Sequence, residues 1–213
     1  MSSESVQQYA ANLQEVLAEN HQEALEPAVA EGFGLYLELL LKWNARTNLT
    51  AVRSVEGILE RHFLESISAA RQLPEGITTL LDLGSGAGFP GIPMALCRPE
   101  LSVTLAESQG KKAAFLQEVV RQLGLKVKVH GRRAEELTTS FDFVTLRAVD
   151  KMHLAASVAY SLVTPAGWVA PLTSASEVDS LKAALPADCS WQAPLILAGG
   201  EQRVLLLGRK PSA

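Results

Sequence analysis

Apolar residues set the rhythm of this chain, and the rhythm changes once. Up to about residue 73 they recur at helical spacing. Val29, Phe33, Leu37, Leu40 and Leu41 form one stripe; Val55, Ile58, Leu59, Phe63 and Ile67 form another. The polar, β-branched stretch 44–54, "NARTNLTAVRS", reads as the connection between them, and "RQLPEG" closes the helical part. From Thr78 onward, short apolar runs alternate with amphipathic ones. The runs predict strands over 78–83, 102–107, 126–130, 141–149 and 167–172. Helices are predicted over 91–97, 111–124, 153–163 and 177–185, with Ser108 as a cap for the second and Gly124 as its stop. Residues 193–210 hold two β-rich runs about Gly199-Gly200, the pattern of a hairpin. The expected fold is α/β: a Rossmann-like, mostly parallel sheet with helices on both faces, one antiparallel strand from the C-terminal hairpin, and an N-terminal helical extension. The expected division is a helical cap, residues 1–76, packed on a core of residues 77–213.

Composition narrows the class. The 213 residues are 47% hydrophobic, enough for one ordinary domain with a small appendage. No apolar run approaches the roughly 20 residues of a membrane helix, and the N-terminus has neither a basic nor an apolar leader segment. Cys97 and Cys189 are too few and too distant for a disulfide framework or a zinc site and read as buried thiols. A soluble, cytoplasmic, metal-free monomer is expected. The net charge of −4 argues against nonspecific coating of nucleic acid. Charge is nevertheless uneven: Met1 to Leu41 carries glutamates and no Lys or Arg, and the basic residues begin at Lys42.

The chemistry concentrates in "LLDLGSGAGFPGIP", Leu80–Pro93, where a strand breaks into a glycine-rich loop. A ligand at the carboxyl end of such a strand meets bare backbone and the free N–H groups of the following helix. Gly86, Gly88 and Gly91 satisfy the G-x-G-x-x-G pattern of dinucleotide sites, which alone is weak. Gly84 extends the pattern upstream. Asp82, in the strand before it, would repel a pyrophosphate but suits a ligand carrying an ammonium group, or braces the turn through backbone N–H groups. Glu107, ending the second strand, is placed to accept hydrogen bonds from ribose hydroxyls. Arg147, ending the fourth, must reach solvent or an anion; its candidate partners are the cofactor, the substrate, or Asp82, Glu107 or Asp150.

The loop "LLDLGSGAGFPG" resembles the cofactor loop of class I S-adenosylmethionine-dependent methyltransferases. A wider resemblance runs over about residues 33–209. Trp43, Asn44, Asn48, Leu49, Thr50 and Ala51, then Arg61, His62, Phe63, Glu65 and Ser66, then "GSGAGFPGIPMALCRPE" and "LRAV", are similar to the bacterial 16S rRNA guanine-N7 methyltransferase family, RsmG or GidB. Glu65 stands where that family often has Asp, and Leu146 where it often has Ser. The resemblance implies transfer of a methyl group from S-adenosylmethionine to N7 of one guanine in the decoding-region loop of 16S rRNA, with the small ribosomal subunit as partner. It implies a cofactor site at Asp82, Gly84, Ser85, Gly86, Gly88, Phe89, Glu107, Ala134, Glu135 and Arg147.

Guanine N7 carries a lone pair and no proton, so no acid–base residue is expected and alignment carries catalysis. For RNA contact the candidates are Arg53, Arg61, His62, Arg132, Arg133 and Lys151, with Arg46, Lys126, Lys128 and His153 also weighed. Arg61 and Glu65 stand at the spacing of a helical i, i+4 pair. A small-molecule methyltransferase, a nicotinamide oxidoreductase and a non-enzymatic RNA-binding protein remain open at this stage.

Overall fold

The computed structural model describes residues 3–200 and 202–212. Helices α1 (Ser3–Glu19) and α2 (Pro27–Asn44) pack along each other. A Cβ at Gly34 would lie 2.3 Å from the Val6 carbonyl oxygen, so the two touch backbone to backbone. Pro27 suits the first turn of α2, where its missing N–H has no helical acceptor anyway. Buried Asn44 ends α2. Its Oδ1 accepts the N–H groups of Leu49 (2.8 Å) and Thr50 (3.1 Å) and shapes the loop that follows.

The second helical stripe is three pieces rather than one helix. Ser54 caps α3 (Val55–Ile58) by accepting the Gly57 N–H. A π-helical turn, Leu59–Leu64, follows, and then α4 (Glu65–Arg71). The wider π turn changes which side chains face the same way, as such turns do at functional sites.

Five strands run parallel in the order β3-β2-β1-β4-β5: β1 (Thr79–Leu83), β2 (Ser102–Ala106), β3 (Val127–His130), β4 (Phe141–Arg147) and β5 (Val163–Ser174). Strands β1 and β4 are buried almost throughout, which explains their continuous apolar runs. Helix α5 (Gly91–Cys97) follows β1, α6 (Gly110–Leu123) follows β2, and α7 (Met152–Ser161) and α8 (Val178–Ala183) flank β5 in sequence. The hairpin forms from β7 (Leu195–Ile196) and β8 (Arg203–Leu205), with β8 antiparallel on β5. The antiparallel edge extends beyond it: β9 (Gly208–Arg209) also pairs with β5, and β6 (Ser190–Trp191) pairs with β9.

Several boundaries differ from expectation. Strand β5 starts at Val163, four residues before the predicted 167, β4 ends at Arg147, and α8 spans only Val178–Ala183. Two further differences have local reasons. Ser108 does not cap α6. The helix starts after Gln109 with no side-chain cap, because the Glu107 carboxylate takes the Gln109 N–H instead. Helix α7 stops at Ser161, two residues early, because Val163 already pairs with Phe141.

Alternation along the strands sorts side chains to the two faces. Leu80, Val103, Leu105 and Phe143 join α1, α2, α4, α5 and α6 in one core; Leu81, Leu83, Val144 and Leu146 join α7 and α8 in the other. Thr145 and Arg147 therefore share a face with Phe143, towards the N-terminal helices.

Candidate active site

The loop after β1 opens into a cleft of about 810 Å³ at the carboxyl ends of β1, β2 and β4. Gly86 has φ +58°, and a side chain there would meet only the Gly84 carbonyl oxygen, at 3.8 Å. Its bare backbone borders the cleft. Gly88 serves the opposite side. At φ +97° its missing Cβ would lie 2.7 Å from Tyr36 Oη and 2.8 Å from Ile92 Cγ1, so the glycine admits Tyr36 and α5. Asp82 is wholly buried behind the loop. One carboxylate oxygen accepts the Gly91 N–H at 3.1 Å, and the other has no partner. Burial pushes its carboxyl up to about 7.

Glu107 ties the cleft floor together. Oε2 accepts the Gly86 N–H at 2.9 Å and Oε1 the Gln109 N–H at 2.7 Å. A carboxylate has about four acceptor sites, so capacity remains for hydroxyl donors.

Of the ten candidate cofactor residues, Gly84, Gly86, Phe89, Glu107, Ala134, Glu135 and Arg147 line the cleft. Asp82, Ser85 and Gly88 stand behind it. Ser85 donates to the Asp82 carbonyl oxygen and helps hold the turn.

Arg147 does not pair with Asp82, Glu107 or Asp150. Its Nε lies 3.3 Å from Glu65 Oε1, and its Nη2 reaches Glu65 Oε2, the Arg61 carbonyl and His62 Nδ1. Nη1 is buried without a partner. The pairing of Arg61 with Glu65 expected from an α-helix is replaced, since the π turn precedes Glu65 and the buried carboxylate turns to Arg147.

The cleft mouth is cationic. Arg61, Arg132, Arg133 and Lys151 line it, joined by Lys112 and Arg203. Sequence reasoning missed these last two. Lys112 is in the first turn of α6, and Arg203 arrives only because β8 adds to β5. Arg132 is 3.7 Å from Glu136 across an exposed pair. Arg53 stands outside the cleft, donating to the Asn44 carbonyl and Asn48 Oδ1. Lys126 and Lys128 are on the edge strand side, away from it.

His62 is not a cation. Its ring bonds Arg147 on one side and Thr50 on the other and stacks on Phe89, centroids 4.8 Å apart. Burial, then Arg147 and Arg61, lower it to about 3, so it is neutral at physiological pH. Beyond β4, Ala148 (φ +50°) and Lys151 (φ +54°) take left-handed backbone beside the cleft, a costly conformation for residues with a Cβ.

A parallel sheet with a glycine loop after β1, an acid at the end of β2 and a deep cleft across both is the frame of a Rossmann-like nucleoside site, and the family match to residues 30–193 makes it that of a class I methyltransferase. The fold is shared with the pyocyanin biosynthetic protein PhzM (TM-score 0.62, 14% identity, 79% of this chain and 61% of that one). It is also shared with a SAM dependent methyltransferase from Aquifex aeolicus (TM-score 0.56, 18% identity, 72% and 92%). The family described as rRNA small subunit methyltransferase G, GidB, matches residues 30–193, and the chain belongs to that family. A relative bearing that name in Xanthomonas euvesicatoria pv. vesicatoria is 39% identical over 196 residues, 88% of this chain and 90% of its own. Another, in Xanthomonas oryzae pv. oryzae strain MAFF 311018, is 43% identical over 148 residues, 68% and 69%.

S-adenosylmethionine suits the residues present. The Gly86 backbone leaves a cradle that a Cβ would enter, and Glu107 places acceptors beside it for a nucleoside. Among the described residues no group of three or more His, Cys, Asp or Glu is arranged to hold a metal ion, and no helix is long and apolar enough to cross a membrane.

Proposed function

We propose that the chain methylates N7 of a guanine in 16S rRNA, acting on the small ribosomal subunit in the cytoplasm, with S-adenosylmethionine as the methyl source. One observation carries this reading. A protein of net charge −4 gathers Arg61, Lys112, Arg132, Arg133, Lys151 and Arg203 around the mouth of one cleft. Such a rim suits a phosphate backbone presented locally, and the acidic remainder discourages binding elsewhere.

Bound S-adenosylmethionine supplies an electrophilic methyl group on a sulfonium. Glu107 and the Gly84–Gly86 backbone hold and orient it from the floor of the cleft. The guanine N7 lone pair would form the bond to the methyl carbon as the methyl–sulfur bond breaks, sulfur keeping that pair. Positive charge thus passes to the purine, the neutral thioether S-adenosylhomocysteine leaves and no proton is released. The site accordingly needs no base. His62, the imidazole in the cleft, has both ring nitrogens engaged. Catalysis then rests on alignment, worth about 7–11 kcal/mol in favourable cases. Residues 1–76 act in this reading as a helical cap on the core, contributing Thr50, Arg61 and His62 to one wall.

The test is transfer of labelled methyl groups to small subunits lacking the modification, followed by digestion to nucleosides. Label in 7-methylguanosine at a single site is the expected result. Cofactor binding with no label in subunits or in protein-free rRNA overturns the substrate assignment.

A further inference from the structure

Four side chains drawn from two parts of the sequence form one line from the core to the cleft. Glu65 anchors Arg147, and Arg147 Nη2 lies 2.9 Å from His62 Nδ1. A guanidinium has no acceptor, so Nδ1 must accept. The imidazole proton then sits on Nε2, 2.8 Å from Thr50 Oγ1, and is donated to it. The same oxygen accepts the Val52 N–H at 3.2 Å. Both lone pairs of the Thr50 hydroxyl are thereby used, and its own proton meets no acceptor among the described residues. Thr50 lines the cleft. The line of bonds leaves it a hydroxyl that can only donate, aimed where no protein group receives it.

Its place in the cleft is telling. Glu107, Ala134 and Glu135 occupy the end over β2 and β3. Thr50 stands at the other end with His62, Phe89 and Arg147, at the carboxyl end of β4. A nucleoside held by Glu107 leaves this end for the base that receives the methyl group. On the edge that carries N7, guanine presents two acceptors, N7 and O6. Adenine presents N7 and an amino donor.

We propose that Thr50 is the specificity-determining residue for the target base: its hydroxyl donates to guanine O6, leaving N7 free to be methylated, whereas adenine would set donor against donor. His62, Arg147 and Glu65 are positioning residues that hold the hydroxyl in this role. The inference rests on the reading of the chain as a guanine-N7 methyltransferase.

The experiment compares wild type, Thr50→Ser and Thr50→Val on reconstituted small subunits carrying either guanine or 2-aminopurine at the target. 2-Aminopurine keeps N7 and lacks O6. Wild type should prefer guanine, Thr50→Ser should keep that preference, and Thr50→Val should lose about 10-fold in kcat/KM on guanine and little on 2-aminopurine. Affinity for S-adenosylmethionine, measured by calorimetry, should be the same in all three. Equal losses on both bases, or weakened cofactor binding in Thr50→Val, make Thr50 merely structural and overturn the proposal. Equal use of both bases by wild type overturns it without any variant, whether or not Thr50→Val folds. No 7-methylguanosine from wild type on guanine subunits overturns the underlying reading instead.

Discussion

Arg147 and Glu65, 82 residues apart, meet as a buried ion pair, Nε to Oε1 at 3.3 Å, between the end of β4 and the start of α4. Nearly all of each side chain is shielded from water, at 7% and 4% exposure. The pair joins the glycine-loop sheet to the helical region whose connecting loop carries Thr50 and whose π turn carries His62. Removing one partner strands the other charge in a place of low polarity.

Glu65→Gln should therefore cost about 3–5 kcal/mol of stability. Replacing both residues together by apolar ones of similar volume should cost less than either single change. Chemical denaturation of Glu65→Gln, Arg147→Met and the double Glu65→Leu, Arg147→Met variant checks this, and a double variant as unstable as either single one contradicts it.

Glu107→Ala removes the acceptor of the Gly86 and Gln109 N–H groups and the nucleoside contact assigned to it. Affinity for S-adenosylmethionine should fall about 10- to 100-fold, the range for hydrogen bonds to a charged group. Calorimetric titration reads the loss. Unchanged affinity would move the cofactor away from β2.

His62 and Asp82 give opposite pH signatures. His62 falls from 6.5 unfolded to about 3 folded, so the unfolded chain binds the extra proton and stability rises with pH between those values. Asp82 rises from 3.8 to about 7, so the folded chain holds the extra proton and stability is lost as pH climbs through that window. Between about 4 and 6.5 the two offset each other. Asp82→Asn should make stability rise more steeply with pH there than in wild type, by up to about 1.4 kcal/mol per pH unit, and His62→Gln should make it fall. Urea midpoints at several pH values test the signs.

Gly88→Ala places a methyl group 2.7 Å from Tyr36 Oη on backbone at φ +97°. Crowding and strain together should destabilise by about 1–3 kcal/mol. Thermal melting measures it. A neutral result would mean that Tyr36, whose hydroxyl donates to the Ala87 carbonyl, moves aside at little cost.

Much of this was legible in advance, and the reasons are local. The alternation of apolar runs around "LLDLGSGAGFPG" gives the strand, the loop and the cleft, because hydrogen-bonding periodicity and glycine's freedom are properties of short segments. Period two along "FDFVTLR" puts Arg147 on the face of Phe143, towards the N-terminal helices. Its partner was not legible. Glu65 reads as a mate for Arg61 on any ideal helix, and only packing against β4 selects Arg147. His62 reads as a cation until burial and two hydrogen bonds neutralise it. Arg203 reaches the cleft only through its antiparallel pairing with Ser174 on β5, which no short pattern encodes.

The π turn at Leu59–Leu64 amounts to one residue more than an α-helix would use. Six residues in the wider turn rotate the chain about as far as five at the α-helical step of about 100°. Deleting one therefore restores regular winding, leaves α3 and α4 facing as they do, and re-registers only the side chains inside the turn. Glu65, in α4, would keep its place against Arg147 while His62, inside the turn, swung off it. The spacing between the two is thus a one-residue frame: substitutions within it are read singly, whereas an insertion or deletion severs the wall of the cleft from its anchor in the core.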